Sequence, residues 1–202
     1  MFNTILYWRI WITIGILVFF ITLLIKGFSL NIGLVLSAVS AGGSTLLIEA
    51  LIFRQFIWKK KPDWFYPWLC FVPYLGGTWE GELHSDYIYP NTGQRCDSIP
   101  AKLEIKHDFD AVKVKLETGQ SFSSSYVSDI WTDEADRKYL CYTYYNDADH
   151  NRDNNPNHDG TAKLRVGKDS NGNLTLEGHY FTGRKTTGKM SFKRISKDVH
   201  SV

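Results

Sequence analysis

The run Ala101-Lys-Leu-Glu-Ile-Lys-His-Asp-Phe-Asp-Ala-Val-Lys-Val-Lys-Leu-Glu117 decides the fold of this chain. Ala101, Leu103 and Ile105 alternate with Lys102, Glu104 and Lys106, and Val112, Val114 and Leu116 alternate with Lys113, Lys115 and Glu117. A period of two marks an extended strand with one buried and one wet face. Asp108 to Asp110 breaks the alternation between the two runs and supplies the tight connection of a hairpin.

The same punctuation continues on both sides of this hairpin. Candidate strands are Thr78 to His84, Ile99 to His107, Ala111 to Glu117, Phe122 to Thr132, Arg137 to Tyr145, Thr161 to Lys168, Leu174 to Thr182 and Thr187 to Ile195. Asn171-Gly172, between two of them, is a type I′ turn signal. Eight strands joined in sequence, largely by hairpins, predict an all-β domain. Its form is an eight-stranded antiparallel up-and-down barrel whose interior is wide enough for one small ligand. Gly77-Thr78-Trp79 resembles the Gly-x-Trp signature of lipocalin-like barrels, in which the tryptophan plugs the closed end. A cation from the last strand packs over that ring in such barrels, and Arg194 is the candidate here.

Ahead of the strands lie two apolar stretches, Ile10 to Ile25 and Phe28 to Phe53. With Ile5 to Trp8 and a snorkelling Arg9, the first reaches the roughly 20 residues needed to cross a bilayer. Lys26, Gly27, Ser29 and Asn31 make the polar turn between them, so the pair reads as a transmembrane hairpin. A cleaved signal peptide fits poorly, because no small-x-small cleavage site precedes the second span. The chain thus divides into a hairpin over residues 1–61, an aromatic and proline-rich interfacial linker over 62–75, and a barrel over 76–202. Arg54 and Lys59 to Lys61 follow the second span, which by the positive-inside rule puts both ends and the barrel in the cytoplasm. The expected location is therefore the inner (cell) membrane of a bacterium. Trp64, Phe65, Tyr66, Trp68 and Phe71, interleaved with prolines, suit the headgroup level.

Gly33, Ser37 and Ala41 recur every four residues in the second span, amid Ser40, Gly42, Gly43 and Ser44. Such spacing lets helix backbones approach closely in lipid, either within the hairpin or between copies of it. Glu49 is costly near the end of an apolar run unless it snorkels to the interface, pairs with Arg54 or faces a helix interface.

Charge is split unevenly. Up to Lys61 six Lys/Arg face Glu49 alone, while the rest of the chain carries 17 basic and 20 acidic residues. A mildly acidic domain argues against coating long nucleic acid, where phosphate neutralisation supplies most of the affinity. Three cysteines, Cys70, Cys96 and Cys141, have neither CxxC nor zinc-ligand spacing and read as reduced thiols, which fits a cytosolic domain. Phosphate loops, nucleophile elbows and zinc helices are missing from the sequence, so no enzyme activity and no cofactor are expected. Asp147, Asp149, Asn151, Asp153 and Asn155 alternate like a calcium loop, but a loop starting at Asp147 requires Gly where Arg152 stands and Glu where His158 stands. No metal is expected.

What remains is an aromatic and basic constellation. Tyr139, Tyr142, Tyr144, Tyr145, Tyr180 and Phe181 fall on two strands, with Arg165, Thr182, Arg184 and Thr187 nearby. Nucleobases stack on tyrosine faces and an arginine fork pairs with phosphate, whereas tyrosines are also common strand residues that serve as core partners. An apolar small molecule or lipid, held as lipocalins hold theirs, is the competing occupant of such a barrel.

The two-span hairpin, the basic aromatic junction, Leu75-Gly-Gly-Thr-Trp-Glu-Gly-Glu-Leu83 and Gly178-His-Tyr-Phe-Thr-Gly-Arg-Lys-Thr-Thr-Gly-Lys-Met-Ser-Phe192 together resemble a bacterial anti-phage effector family. It is the two-transmembrane β-barrel family associated with CD-NTases in cyclic-oligonucleotide-based (CBASS) defence. The resemblance implies that the barrel binds a cyclic dinucleotide made by a partner CD-NTase synthase. It implies further that binding drives self-association into homo-oligomers whose hairpins disrupt the lipid bilayer. By residue type and strand position the ligand contacts would come from Arg95, Tyr142, Tyr144, Arg165, Tyr180, Thr182, Arg184 and Thr187.

Overall fold

A computed structural model describes residues 2–26, 32–89, 91–119, 121–147 and 156–198. The chain divides into two compact units, Phe2–Tyr74 and Leu75–Val202.

In the first unit, α1 (Thr4–Lys26) and α2 (Ile32–Leu47) are followed by a wider, π-helical continuation, Ile48–Trp58, and a 3₁₀ turn, Pro62–Phe65. Thr4–Ile25 and Ile32–Trp58 are long and apolar enough to cross a membrane. Ile12, Ile16, Leu17, Phe20, Val35, Leu36 and Val39 are exposed, the arrangement expected where lipid rather than water is the solvent. Ser37, Ala41 and Thr45 form the buried face of α2, and a side chain built on Gly15 of α1 would come within 3.6 Å of the Thr45 hydroxyl. Small residues therefore let the two helices approach within one hairpin. The polar turn expected at Gly27, Ser29 and Asn31 lies outside the described residues.

Glu49 does not snorkel. Its Oε1 accepts from Arg54 Nε at 2.5 Å and from the Tyr7 hydroxyl of α1. Pairing removes the cost of an isolated carboxylate in apolar surroundings, and it ties the two helices through a polar contact that lipid cannot replace. Around it Tyr7, Trp11, Phe53 and Phe65 pack edge-on in a continuous aromatic cluster, extended by Trp58 tilted against Phe65.

The second unit is a closed barrel in which β1 (Gly77–Ser85), β2 (Ile99–His107), β3 (Val112–Thr118), β4 (Ser121–Thr132), β5 (Lys138–Asp147), β6 (His158–Lys168), β7 (Leu174–Thr182) and β8 (Thr187–Ser196) pair in sequence order, β8 closing on β1. Every pair is antiparallel. The lipocalin-like architecture expected from the alternation is the one observed. Two boundaries differ from expectation by more than one residue: β5 runs on to Asp147, and β6 begins at His158. Asn146 pairs with both Ser123 and His158 across the ladder. Tertiary pairing thus overrides a composition that reads locally as loop.

One end of the barrel is plugged. Trp79 is fully buried, its Nε1 donates to the Leu75 carbonyl at 3.0 Å, and Arg194 lies 5.7 Å from its ring centroid. Leu103, Ile105, Leu140, Leu164, Leu176, Met190 and Phe192 fill the space above it, each at most 1% exposed.

Beside this plug sits His107, whose Nδ1 accepts the Leu75 N–H at 3.0 Å. Burial holds its pKa down to about 4, because an imidazolium there would lose hydration and meet an N–H donor with another proton. The folded pKa lies below the unfolded one. The unfolded chain therefore binds the extra proton first, and the His107 contribution is complete above about pH 6.5 and is lost as pH falls toward about 4. The predicted loss is up to about 3 kcal/mol. Urea unfolding of the chain in detergent, followed by near-ultraviolet circular dichroism across this window, should show it. A His107→Gln variant should have a flatter pH profile, and parallel profiles for the two proteins would refute the assignment.

Candidate functional site

Because strands alternate in direction, the β1–β2, β3–β4, β5–β6 and β7–β8 connections gather at the end opposite Trp79. The inner face changes character there. Ser85, Ser123, Asn146, Tyr142, Tyr144 and Tyr180 are all buried, replacing the leucines and valines below.

Strand parity decides which aromatic residues reach this interior. On β5, Leu140, Tyr142, Tyr144 and Asn146 alternate inward, while Tyr145 points to solvent. On β7 Tyr180 is inside and Phe181 outside. Tyr139 belongs to the outer face, where Lys163 lies 4.4 Å from its ring and 5.0 Å from that of Trp131. The six aromatic residues grouped by the sequence thus separate into an inner three and an outer three.

The inner three are held by their neighbours. The Tyr142 and Tyr144 rings lie 5.7 Å apart at 45°, and the Tyr142 hydroxyl donates to Met190 Sδ at 3.7 Å. Tyr144 pairs across the ladder with Gly160 and Tyr180 with Gly188. A Cβ on Gly160 would collide with the Tyr144 ring, and one on Gly188 with the Tyr180 ring. Each glycine is therefore the space in which a tyrosine lies across the neighbouring strand, a cross-strand pairing that stabilises both. Burial raises the Tyr142 hydroxyl pKa and pushes that of Tyr144 up to about 12. Tyr180 is raised by burial too, with a hydrogen bond to Ser85 acting in the opposite direction. All three phenols are therefore neutral at physiological pH, bringing rings and hydroxyls to this end without charge.

On β4 a bulge at Tyr126 shifts the register between Ser125 and Val127. The β3–β4 ladder, paired from Lys115 to Thr118, is carried further by serine hydroxyls: Ser125 Oγ accepts from the Val114 N–H at 2.9 Å, and Ser128 Oγ donates to the Val112 carbonyl. Ser123 Oγ donates to Asn146 Oδ1 at 2.8 Å.

The rim carries the charges. Arg184 stands in the β7–β8 turn, where its positive charge lowers the pKa of Tyr144, Tyr180 and His158 in each case as a lesser influence than burial. Arg95, in the β1–β2 connection, is 3.9 Å from Asp86, and Asp86 accepts from the Thr187 hydroxyl at 2.8 Å. Thr182 is half-buried and shares its hydroxyl with that of Thr186 at 2.6 Å, closing the β7–β8 turn. Tyr142, Tyr144, Tyr180, Thr182, Arg184, Thr187 and Arg95 therefore lie at one end of the barrel. Arg165 does not: it is exposed on the outer face of β6, paired in the ladder with Tyr139 and Glu177. Ser85, Ser123, Asn146 and the two glycines complete the interior at that end, and the run from Asn146 onward had read as loop. Residues 148–155, with most of the calcium-like alternation, lie outside the described residues. Among the described residues no group of three His, Cys, Asp or Glu side chains is placed to hold a metal ion.

The sequence profile described as Cap15, cyclic dinucleotide receptor domain, matches residues 70–194, which contain all of the plug and nearly all of the barrel. Three proteins named CD-NTase-associated protein 15 are similar to the chain. The one from Yersinia aleksiciae is 31% identical over 163 residues, 80% of this chain and 72% of its own length. That from Staphylococcus schleiferi is 30% identical over 71% of each chain, and that from Escherichia albertii 33% identical over 65% of each.

The glycine cradle can be tested without any ligand. Gly160→Val should force the Tyr144 ring from its place and cost about 1–3 kcal/mol, as a side chain added against a packed ring does. Thermal unfolding and the near-ultraviolet tyrosine signal should both change; an unaltered melting temperature would show that the ring has room to move.

Proposed function

The chain belongs to the Cap15 family of CD-NTase-associated proteins, and from that membership we propose that its barrel binds a cyclic dinucleotide at the tyrosine-lined end. The observation that carries the reading is the switch of the barrel interior from aliphatic to aromatic and polar at the end opposite the plug. An apolar ligand would gain nothing from Asn146, Ser123 and three phenol hydroxyls. A nucleobase would stack on a tyrosine for roughly 1–3 kcal/mol, and its polar edge would meet hydrogen-bonding partners. Its phosphates would remain at the rim beside Arg184 and Arg95. The protein acts as a receptor and not as an enzyme: the ligand is bound and not converted.

The output we assign to the hairpin is disruption of the inner membrane after self-assembly, with the barrel on the cytoplasmic side and the ligand supplied by a CD-NTase. The Lys59–Lys61 cluster after the second span supports that orientation. A ligand favours assembly only by binding the assembled form better, and turning a 1:99 balance into 99:1 takes about a 10⁴-fold preference. Clustering the barrels would supply high local concentration to the hairpins, so a weak contact between them suffices.

Two measurements follow. Calorimetry of the full chain in detergent should give saturable binding of a cyclic dinucleotide, with linear dinucleotides and fatty acids as controls. Binding of the fatty acids alone would replace this reading with the apolar one. Separately, Gly33→Leu, Ser37→Leu and Ala41→Leu should leave that affinity intact, because they lie in the hairpin unit, while reducing ligand-dependent dye leakage from vesicles. Leakage unchanged in all three variants would remove the small-residue face from the mechanism.

A further inference from the structure

Asn146 occupies an unusual position in the interior just described. It is 5% exposed, on the inner face near the end of β5, and its Nδ2 is the buried side-chain polar atom without a hydrogen-bond partner among the described residues. Buried donors are nearly always satisfied. Here the other half of the amide is satisfied well. Ser123, directly opposite in the β4–β5 ladder, donates its hydroxyl to Oδ1 at 2.8 Å. In that arrangement the amide oxygen faces Ser123 and its two N–H donors face away. Both residues are held by backbone pairing, and Asn146 is paired on its other side with His158.

The consequence concerns which base fits. Asparagine ordinarily reads adenine with both halves of the amide, its oxygen accepting from the exocyclic amino group while its nitrogen donates to a ring nitrogen. With Oδ1 turned toward Ser123 and already accepting there, the unsatisfied side of the amide is its donor side. A fixed pair of donors is matched by an exocyclic oxo group, such as O6 of guanine or O4 of uracil, and is opposed by an exocyclic amino group, which would set donor against donor. Asn146 also stands two residues from Tyr144 on the same strand face, roughly 7 Å along it. An in-plane edge of a base stacked on that ring falls within this reach.

We propose that Asn146, oriented by Ser123, is a specificity-determining residue of the nucleotide site and selects a base bearing an exocyclic oxo group. The proposal rests on the receptor reading above and adds the identity of the base edge.

The test is calorimetry of the full chain in detergent against cyclic di-GMP, cyclic di-UMP and cyclic di-AMP, for wild type, Asn146→Asp and Ser123→Ala. Wild type should prefer at least one oxo-bearing ligand over cyclic di-AMP by roughly tenfold to a hundredfold, the range of one matched against one mismatched buried hydrogen bond. Asn146→Asp has no donor and should lose that preference. Ser123→Ala keeps the donor but frees the amide to turn, and should narrow the preference by improving cyclic di-AMP binding. Far-ultraviolet circular dichroism confirms folding of each variant, and Ser123→Ala provides the test should Asn146→Asp not fold. Wild-type binding that ignores the base, or preferences unchanged in the folded variants, would overturn the proposal while leaving the receptor reading in place. Failure of all three ligands to bind wild type would instead overturn both.

Discussion

Closure of the sheet is the constraint on which the receptor unit depends. Pairing of β8 with β1 leaves no edge strand, so every inward side chain must share one interior of fixed width. Eight strands give an interior that side chains can just fill, and the chain fills only part of it with aliphatic groups. From Trp79 up to the leucine layer the packing is that of an ordinary core. Beyond that layer the inward positions pass to Tyr142, Tyr144 and Tyr180, which lie across glycines of the next strand, and to small polar residues. The division between an aliphatic core and an aromatic, polar end is therefore written in the inward positions alone.

The hairpin unit solves a different problem. Many of its large apolar side chains, Ile16, Phe20 and Leu36 among them, are exposed, so outside the aromatic cluster small residues and polar contacts hold its helices together. Ser37, Ala41 and Thr45 provide close approach, and Glu49 accepts from Tyr7 of α1 and Arg54 of its own helix. Gly42 and Gly43, by contrast, have open space where a side chain would stand. One face of α2 is committed inside the hairpin and another is bare.

Much of this was legible in the sequence because burial in a barrel follows a period of two. Runs such as Val112 to Glu117 located strands to within a residue or two, and Gly77-Thr78-Trp79 located the plug with its Arg194 partner. The site was less legible. Grouping the tyrosines by strand missed the parity that sends Tyr139, Tyr145 and Phe181 outward. The same parity excludes Arg165, since Ala162, Leu164 and Val166 occupy the inward positions around it. Asn146 was hidden for a different reason. It opens a stretch of Asn and Asp that reads as a loop, and only its pairing with Ser123 and His158, residues distant in sequence, turns it into a strand residue aimed inward. Local composition carried no sign of that pairing.

Electrostatics determine where affinity in this barrel must come from. The sequence after Lys61 carries a small excess of acid, and at the rim Asp86 stands beside Arg95 and is bonded to Thr187. A doubly anionic ligand therefore finds no long-range attraction comparable to that of a basic groove, and exposed charges at the rim are screened within about 8 Å at physiological ionic strength. Arg184, whose field reaches the buried phenols, is the cation best placed to act at short range. On the proposed reading, binding would come from inside the barrel, by stacking on neutral phenols and by hydrogen bonds to groups held by the ladder. Those interactions discriminate between bases, whereas attraction to phosphate would not. On that proposal the barrel favours selectivity over tightness of capture, with interior polar residues, more than surface charge, setting what it would recognise.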